Sequence, residues 1–247
     1  MQAAEFRRTS DEAARRGHPS YVWRAGQARR LALVQQWTKL EGARILDAGC
    51  GVGLYTEKFG QYSPNVVGVE IDAAVAAEAQ RRGLSVVIAP AEELPFDAAS
   101  FDVVFSHEVI EHVTDDRRAA AEMVRVLAPG GRIALFCPNR LYPFETHGHY
   151  WRGKYHFGNT PLINWLPDPL RNRLAPHVRA YTRGGIRRLF AGQPVRVVHH
   201  TVIYPGFDNI VARRPALGRA LKRVLYALEH TPLRWFGLSH FIVLERV

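Results

Sequence analysis

Cysteine is nearly absent, with two in 247 residues. Cys50 lies in a glycine-rich run and Cys137 at a strand end, so no disulfide framework is expected and a cytoplasmic setting fits. No run of about 18 apolar residues occurs, so no transmembrane helix is expected. The stretch Met1-Gln-Ala-Ala-Glu-Phe-Arg-Arg8 has no apolar centre of the kind a signal peptide needs. Internal repeats and low-complexity tracts are missing. Cys-x-x-Cys and His-Glu-x-x-His patterns are missing too, which leaves no strong metal motif. A recognisable RNA-binding module is also absent.

Acidic residues are scarce in one half only. Residues 31–139 carry nine basic and fifteen acidic side chains, whereas residues 140–247 carry seventeen and five, within a net charge of +10. The central part suits a cationic ligand. The basic half suits an acidic substrate or an anionic surface, and equally an ordinary solvated surface.

The chain is rich in ordered glycine at one place. Arg44-Ile-Leu-Asp-Ala-Gly-Cys-Gly-Val-Gly53 reads as a short buried strand, closed by Asp47, then a tight loop. Gly49, Gly51 and Gly53 let a ligand approach the backbone without a Cβ in the way. From Leu54 to Tyr62 the pattern turns helical. Strand, glycine loop and helix form a nucleotide-type cofactor site. The order is D-x-G-x-G-x-G, with an acid where a pyrophosphate would be repelled. Such an acid suits a ligand carrying ammonium and sulfonium charges. A second strand, Asn65-Val-Val-Gly-Val-Glu-Ile-Asp72, places Glu70 about 20 residues past the loop, where ribose hydroxyls are bound.

These residues resemble the first motifs of class I S-adenosylmethionine (SAM) methyltransferases. The likeness continues through Ala89-Pro-Ala-Glu-Glu-Leu-Pro-Phe96, Ser100-Phe-Asp-Val-Val-Phe-Ser-His-Glu-Val-Ile-Glu-His-Val113 and Met123-Val-Arg-Val-Leu-Ala-Pro-Gly-Gly-Arg-Ile133. It covers about residues 40–140 and is similar to the methyltransferase group of domain type 11. The resemblance implies a Rossmann-like α/β fold with a seven-stranded, mostly parallel sheet. It implies SAM as cofactor, held by Asp47, Gly49, Cys50, Gly51, Gly53, Glu70, Ile71, Ala91, Glu92 and Ser106. The family usually carries Gly-Asp where this chain has Ala89-Pro90. Adenine is therefore left to the backbone around Ala91 and to Glu92.

Strands are expected near 44–48, 65–70, 85–89, 101–106 and 131–137, with helices near 54–62, 73–82 and 115–128. Such alternation gives right-handed crossovers and a parallel sheet. We expect a single domain over 1–247. It comprises a helical cover (1–40, with a helix at 20–40), a SAM-binding core (41–137), an acceptor cap (138–180), and C-terminal helices and edge strands (181–247). Within the last part, 181–190 and 215–229 read as helices. Val195–Tyr204 and Ser239–Arg246 read as an antiparallel edge pair. Leu217, Leu221, Val224, Leu225 and Leu228 recur at helical spacing, with Arg219, Lys222 and Arg223 mainly off that stripe. The stripe fits packing on the sheet, or contact with a membrane surface.

Methyl transfer to an oxygen of a phenol or alcohol needs a base. Candidates follow the fourth strand (His107, Glu108, Glu111, His112) and the fifth (Glu145, His147, His149). His112, His147 and His149 are the candidate catalytic residues, because imidazole titrates near neutrality. Glu108, Glu111 and His112 resemble an E-x-x-E-H segment of ubiquinone-pathway O-methyltransferases, a candidate seat for a divalent metal; with no stronger motif, the expectation is no metal. Amine methylases acting on bases carry an Asn/Asp-Pro-Pro-aromatic turn where this chain has Ser106-His-Glu-Val109, and Cys137-Pro138 lacks the setting of a cytosine-methylase nucleophile. The expected reaction is methylation of a small amphiphilic acceptor on oxygen, with peripheral contact to an anionic inner-membrane surface. An RNA methyltransferase and a non-catalytic SAM-binding protein are the alternatives.

Overall fold

The computed structural model describes residues 23–247. Of the expected helical cover, residues 1–22 lie outside the described residues, and the helix itself, α1, runs Ala25–Trp37. The central elements follow the alternation. They are β1 (Ile45–Ala48), α2 (Leu54–Phe59), β2 (Val66–Glu70), α3 (Ala73–Arg81), β3 (Val86–Ile88), β4 (Phe101–His107), α4 (Asp116–Val126) and β5 (Leu127–Pro138).

Each forms for a local reason. β1 is buried at every position, as a strand covered on both faces must be. α4 starts where the Asp115 carboxylate accepts the Arg118 N–H at 3.0 Å. It then buries Ala119, Ala120, Met123 and Val124, an i, i+1, i+4, i+5 stripe. Each such apolar side chain contributes roughly 1.5–3 kcal/mol when fully buried.

The seven strands order as β10-β11-β5-β4-β1-β2-β3, where β10 is Val195–Ile203 and β11 is Ser239–Arg246. β1 pairs in parallel with β2 and β4, β2 with β3, and β4 with β5. β11 runs antiparallel to both β5 and β10. The expected antiparallel edge pair is present, with β10 outermost and β11 on the inner side beside β5. The reason is apolar. Phe241 to Leu244 are buried on both faces, so β11 needs cover that an edge does not provide.

Two cores flank the sheet. Leu46, Val104, Ile133 and Leu135 meet Met123 and Val124 of α4 on one side. Ile45, Phe105, Phe136 and Phe241 meet Leu31 and Val34 of α1 and Tyr55 and Phe59 of α2 on the other.

The expected cap over 138–180 is built from small sheets and short helices. It contains the hairpin-like pairs β6 (Phe144–Glu145) with β9 (Thr160–Pro161), and β7 (His149–Trp151) with β8 (Lys154–His156), then α5 (Asp168–Leu174). α6 (Arg183–Leu189) returns the chain to the sheet. Between β10 and β11 lie α7 (Asp208–Arg213), α8 (Pro215–Leu228) and a 3-10 turn at Pro232–Phe236. α8 does not lie on the sheet. Gly218 is its one buried residue, seated against Val211 of α7. The apolar stripe is thus partly exposed, with Leu217 52% and Val224 58% accessible.

Candidate functional site

The site forms at the carboxyl ends of β1, β2, β4 and β5, where a ligand is met in an open parallel sheet. Asp47, one residue before the end of β1, is 2% exposed and accepts the Thr56 hydroxyl at 2.7 Å. Burial pushes its carboxyl up to about 7, against the Thr56 hydrogen bond that pulls it down. An ammonium beside Asp47 would restore its charge. The loop then turns through Gly49 (φ 84°) and Gly51 (φ 55°). A Cβ on Gly49 would strike Val109, whereas one on Gly51 would meet nothing within 4 Å. Gly49 is therefore fixed by packing. Gly51 leaves its backbone open to approach. The Gly51 N–H donates to Glu70 at 3.0 Å and the Asp72 N–H to its other oxygen at 2.9 Å, so two amides aim the Glu70 carboxylate.

Cys50 is half-buried in the loop, and burial pushes its thiol up and out of reactive range. Gly53 enters α2 in the left-handed region. Ile71, 68% exposed beside Glu70, offers an apolar surface to a purine ring. Ala91 is buried. Glu92 is engaged elsewhere: it accepts the Thr114 N–H at 2.7 Å ahead of α4. Ser106 is fully buried with an unpartnered hydroxyl.

Three more polar groups converge from different elements. Arg30 Nε on α1, Tyr55 Oη on α2 and His107 Nε2 on β4 are buried with no hydrogen-bond partner. The Tyr55 and His107 rings lie 5.1 Å apart, and the Arg30 charge acts on both. Burial pushes the Tyr55 phenol up, so it stays a donor, and pushes His107 down to about 3, so it stays neutral. Arg30 and Tyr55 were missed in the sequence. The available signal for Arg30 was its place on the buried i, i+4, i+8 stripe with Gly26 and Val34.

Glu111 is the hub of the acceptor side. Its side chain is fully buried and both carboxylate oxygens lack a partner. Burial, then the neighbouring Glu108 charge, raises its carboxyl well above the ordinary carboxylate value. Burial raises the Glu108 carboxyl, but the Arg30 charge and the Ser239 hydroxyl are among the neighbours that bring it below its ordinary value. Glu108 accepts the Ser239 hydroxyl at 2.7 Å.

Two imidazoles face Glu111 Oε1: His112 Nε2 at 3.9 Å and His147 Nε2 at 4.0 Å. The other nitrogen of each ring is tied. His112 Nδ1–H donates to the His177 carbonyl at 3.3 Å, and His147 Nδ1–H to Glu145 at 3.0 Å. Both Nε2 atoms are thus left as lone pairs toward Glu111. Glu145 is itself gripped by buried Arg171 at 3.0 Å. The structure brings His112 and His147 together, but not His149. His149 pairs with the Thr160 hydroxyl at 2.9 Å and stacks on His156 in the β7–β8 pair.

The same atoms bear on a metal. Ligand atoms of Glu111, His112 and His147 lie within 4.8 Å of one another. One carboxylate and two imidazoles would suit Zn²⁺ or a similar transition ion better than Mg²⁺. Glu108 of the E-x-x-E-H segment is not in this group. Away from the site, a cavity of about 610 Å³ lined by Lys39, Gly42, Asp102, Gly130 and Arg132 opens at the amino ends of β1 and β4.

Residues 46–135 match the family described as "Methyltransferase domain". A protein described as an uncharacterized methyltransferase of Mycobacterium bovis is 32% identical over 178 residues, covering 66% of this chain and 89% of that protein. A ubiquinone biosynthesis O-methyltransferase of Coxiella burnetii is 31% identical over 119 residues, 46% of this chain and 51% of that one. Among solved structures, a SAM-dependent methyltransferase from Mesorhizobium loti superposes with a TM-score of 0.62 at 19% identity, covering 87% of this chain and 96% of that one.

Proposed function

We propose an acceptor chemistry from one premise: this chain belongs to the class I SAM-dependent methyltransferases and is an enzyme that uses SAM. The reaction we assign is methylation of a hydroxyl oxygen on a small, amphiphilic acceptor, with His147 as the base. The observation that carries it is the His147 ring, held at Nδ1 by Glu145 and turned with Nε2 toward buried Glu111.

Bound SAM supplies a methyl group already activated on a sulfonium sulfur. Asp47 meets its ammonium, Arg30 and Tyr55 its carboxylate, and Glu70 the ribose hydroxyls. Ile71 and the backbone at Ala91 border the adenine. On the acceptor side, the hydroxyl oxygen would take the methyl group as the methyl–sulfur bond breaks and S-adenosylhomocysteine leaves as a neutral thioether, while the hydroxyl proton passes to His147 Nε2. Glu145 then stabilises the imidazolium, as the third member of a nucleophile, base and orienter set. Buried Glu111, whose ionisation desolvation disfavours, borders the base opposite Glu145.

This scheme needs no metal, because the sulfonium is its own leaving group. We assign the enzyme to the cytoplasm, with access to amphiphiles at the inner membrane surface. Support for an amphiphilic hydroxyl comes from the cap's apolar side chains and from the likeness to an O-methyltransferase.

Incubating cell extract with methyl-labelled SAM and separating lipid, small-molecule and RNA fractions tests the class. Label in the lipid or small-molecule fraction is expected; label in RNA alone sinks the proposal. With an acceptor in hand, His147→Ala should lower kcat about 10²–10⁴-fold while SAM binding holds. Activity should survive excess chelator. Loss that Zn²⁺ restores, and that Glu111→Gln abolishes, makes the Glu111 group a cation site instead.

A further inference from the structure

α8 and the Pro232–Phe236 turn present apolar and basic side chains together, and their acids are already used. Between Gly206 and Val247 the chain has three acids: Asp208, Glu229 and Glu245. Asp208 pairs with Lys222 at 3.2 Å and accepts the Gly26 N–H at 3.0 Å. Glu229 pairs with Arg29, and Glu245 with Arg132 and Arg196. Arg213, Arg214, Arg219 and Arg223 are exposed, and none forms an ion pair among the described residues.

The apolar part is placed beside them. Leu217, Ala220, Val224 and Ala227 are exposed at i, i+3, i+7 and i+10, one face of the helix, with Arg219 and Arg223 on its flank. α8 packs on the Pro232–Phe236 turn, where Leu233 and Phe236 are exposed. Phe236 in turn meets exposed Trp165 of the cap, ring to ring at 6.4 Å. An uncancelled positive field beside a bared apolar ridge is the complement of an anionic bilayer. A nucleic acid would use the guanidinium groups but would leave Leu217 and Val224 unpartnered.

We propose that this face docks on an anionic lipid bilayer, with Arg213, Arg214, Arg219 and Arg223 at the phosphates and Leu217 and Val224 at the hydrocarbon boundary. This deepens the reading that the acceptor is amphiphilic by naming the surface on which it is met. The helices are fastened to the site: Gly26 and Arg29 of α1 hold Asp208 and Glu229, and the Arg29 guanidinium lies 3.8 Å over the Tyr226 ring. The next residue of α1 is Arg30.

The test is co-sedimentation of the full chain with phosphatidylcholine vesicles, with and without phosphatidylglycerol. Binding is expected to the anionic vesicles alone. It should fall as salt shortens the screening length from about 10 Å toward about 3 Å. Replacing the four arginines by Gln should weaken it by about fivefold per side chain, and the pair Leu217→Ser and Val224→Ser should also release it. All six residues are exposed, so SAM binding should remain at parent level and report an intact fold. Equal pelleting with both lipids, or none with either, overturns the proposal. So does salt-sensitive retention on RNA without vesicle binding. The assay contains no methyl acceptor, so its failure leaves the oxygen-methylation reading standing.

Discussion

Arg30 carries an uncancelled donor into the cofactor side of the site, and its reach is testable alone. Tyr55 feels both Arg30 and Asp47, so the phenol sits between a cation and an anion. The amino-acid end of SAM has the complementary pair, ammonium and carboxylate. Arg30→Gln should therefore weaken SAM about tenfold or more, since a hydrogen bond to a charged group is worth about 1.5–3 kcal/mol. Methylthioadenosine, which lacks that end, should bind parent and variant alike; calorimetry on both ligands checks this. Equal loss of both ligands would mean that Arg30 supports the fold instead. Spacing alone proposed the glycine loop with Asp47, and Glu70 at the end of the next strand, as cofactor residues. Arg30 was not legible in this way, because only the packing of α1 on the sheet aims it. Glu92 shows the converse: it stands in the adenine segment, yet its carboxylate is spent on two amides ahead of α4.

The cap is an element with a polar core. Arg171 is 2% exposed, donates to Glu145 and to the Val178 carbonyl, and lies 3.3 Å from Asn164 Oδ1. Removing it leaves a buried carboxylate unpaired. Arg171→Met should cost about 3–5 kcal/mol, read as a lower denaturant midpoint. It should also depress kcat by releasing Glu145, and with it His147. Glu145→Gln keeps the shape and alters the His147 tautomer, so it should lower kcat; it also leaves the Arg171 charge buried without its anion and should lower the denaturant midpoint as Arg171→Met does. Proline and histidine content marked residues 138–180 as a cap. Its small sheets stayed illegible because two-residue strands have no period, and Arg171 reads on a sequence as one more surface charge. α8 was legible as a helix but not in its place. A stripe at helical spacing says which side is apolar, not whether the sheet is what covers it.

At the scale of the whole molecule, buried histidines tie stability to pH. His240 Nε2–H donates to the Tyr181 carbonyl at 2.9 Å, His200 Nε2–H donates to His240 Nδ1 at 3.1 Å, and Arg187 donates to His200 at 3.1 Å. Every nitrogen in that chain is assigned, so neither ring can add a proton without breaking a bond. Burial pushes His240 down to about 4 and His200 to about 3. The unfolded chain binds these protons near pH 6.5 and the folded chain does not. Stability is therefore complete above about pH 6.5 and falls as the pH drops toward 4, by on the order of 2–3 kcal/mol for His240 alone. Urea midpoints between pH 7.5 and about 4.5 should trace this fall, and His240→Gln should flatten it. The sheet was legible in strand number and parallel sense, because alternation and glycine turns encode both. The antiparallel edge pair was legible too; only the rank within it, which of the two strands lies inside, was not, because that depends on which one finds cover.

That rank has a consequence for biosynthesis. β5 carries the cap and one wall of the site, yet its partner on one side lies about a hundred residues downstream. β10 likewise has no partner but β11. During translation both strands emerge with open edges, and both stay open until residues 239–246 leave the ribosome. An unpaired edge invites pairing with other chains, and a vectorially made chain must wait in that state. Among the described strands, the antiparallel β11 is thus the latch of the fold: pairing it covers the facing edges of β5 and β10 at once.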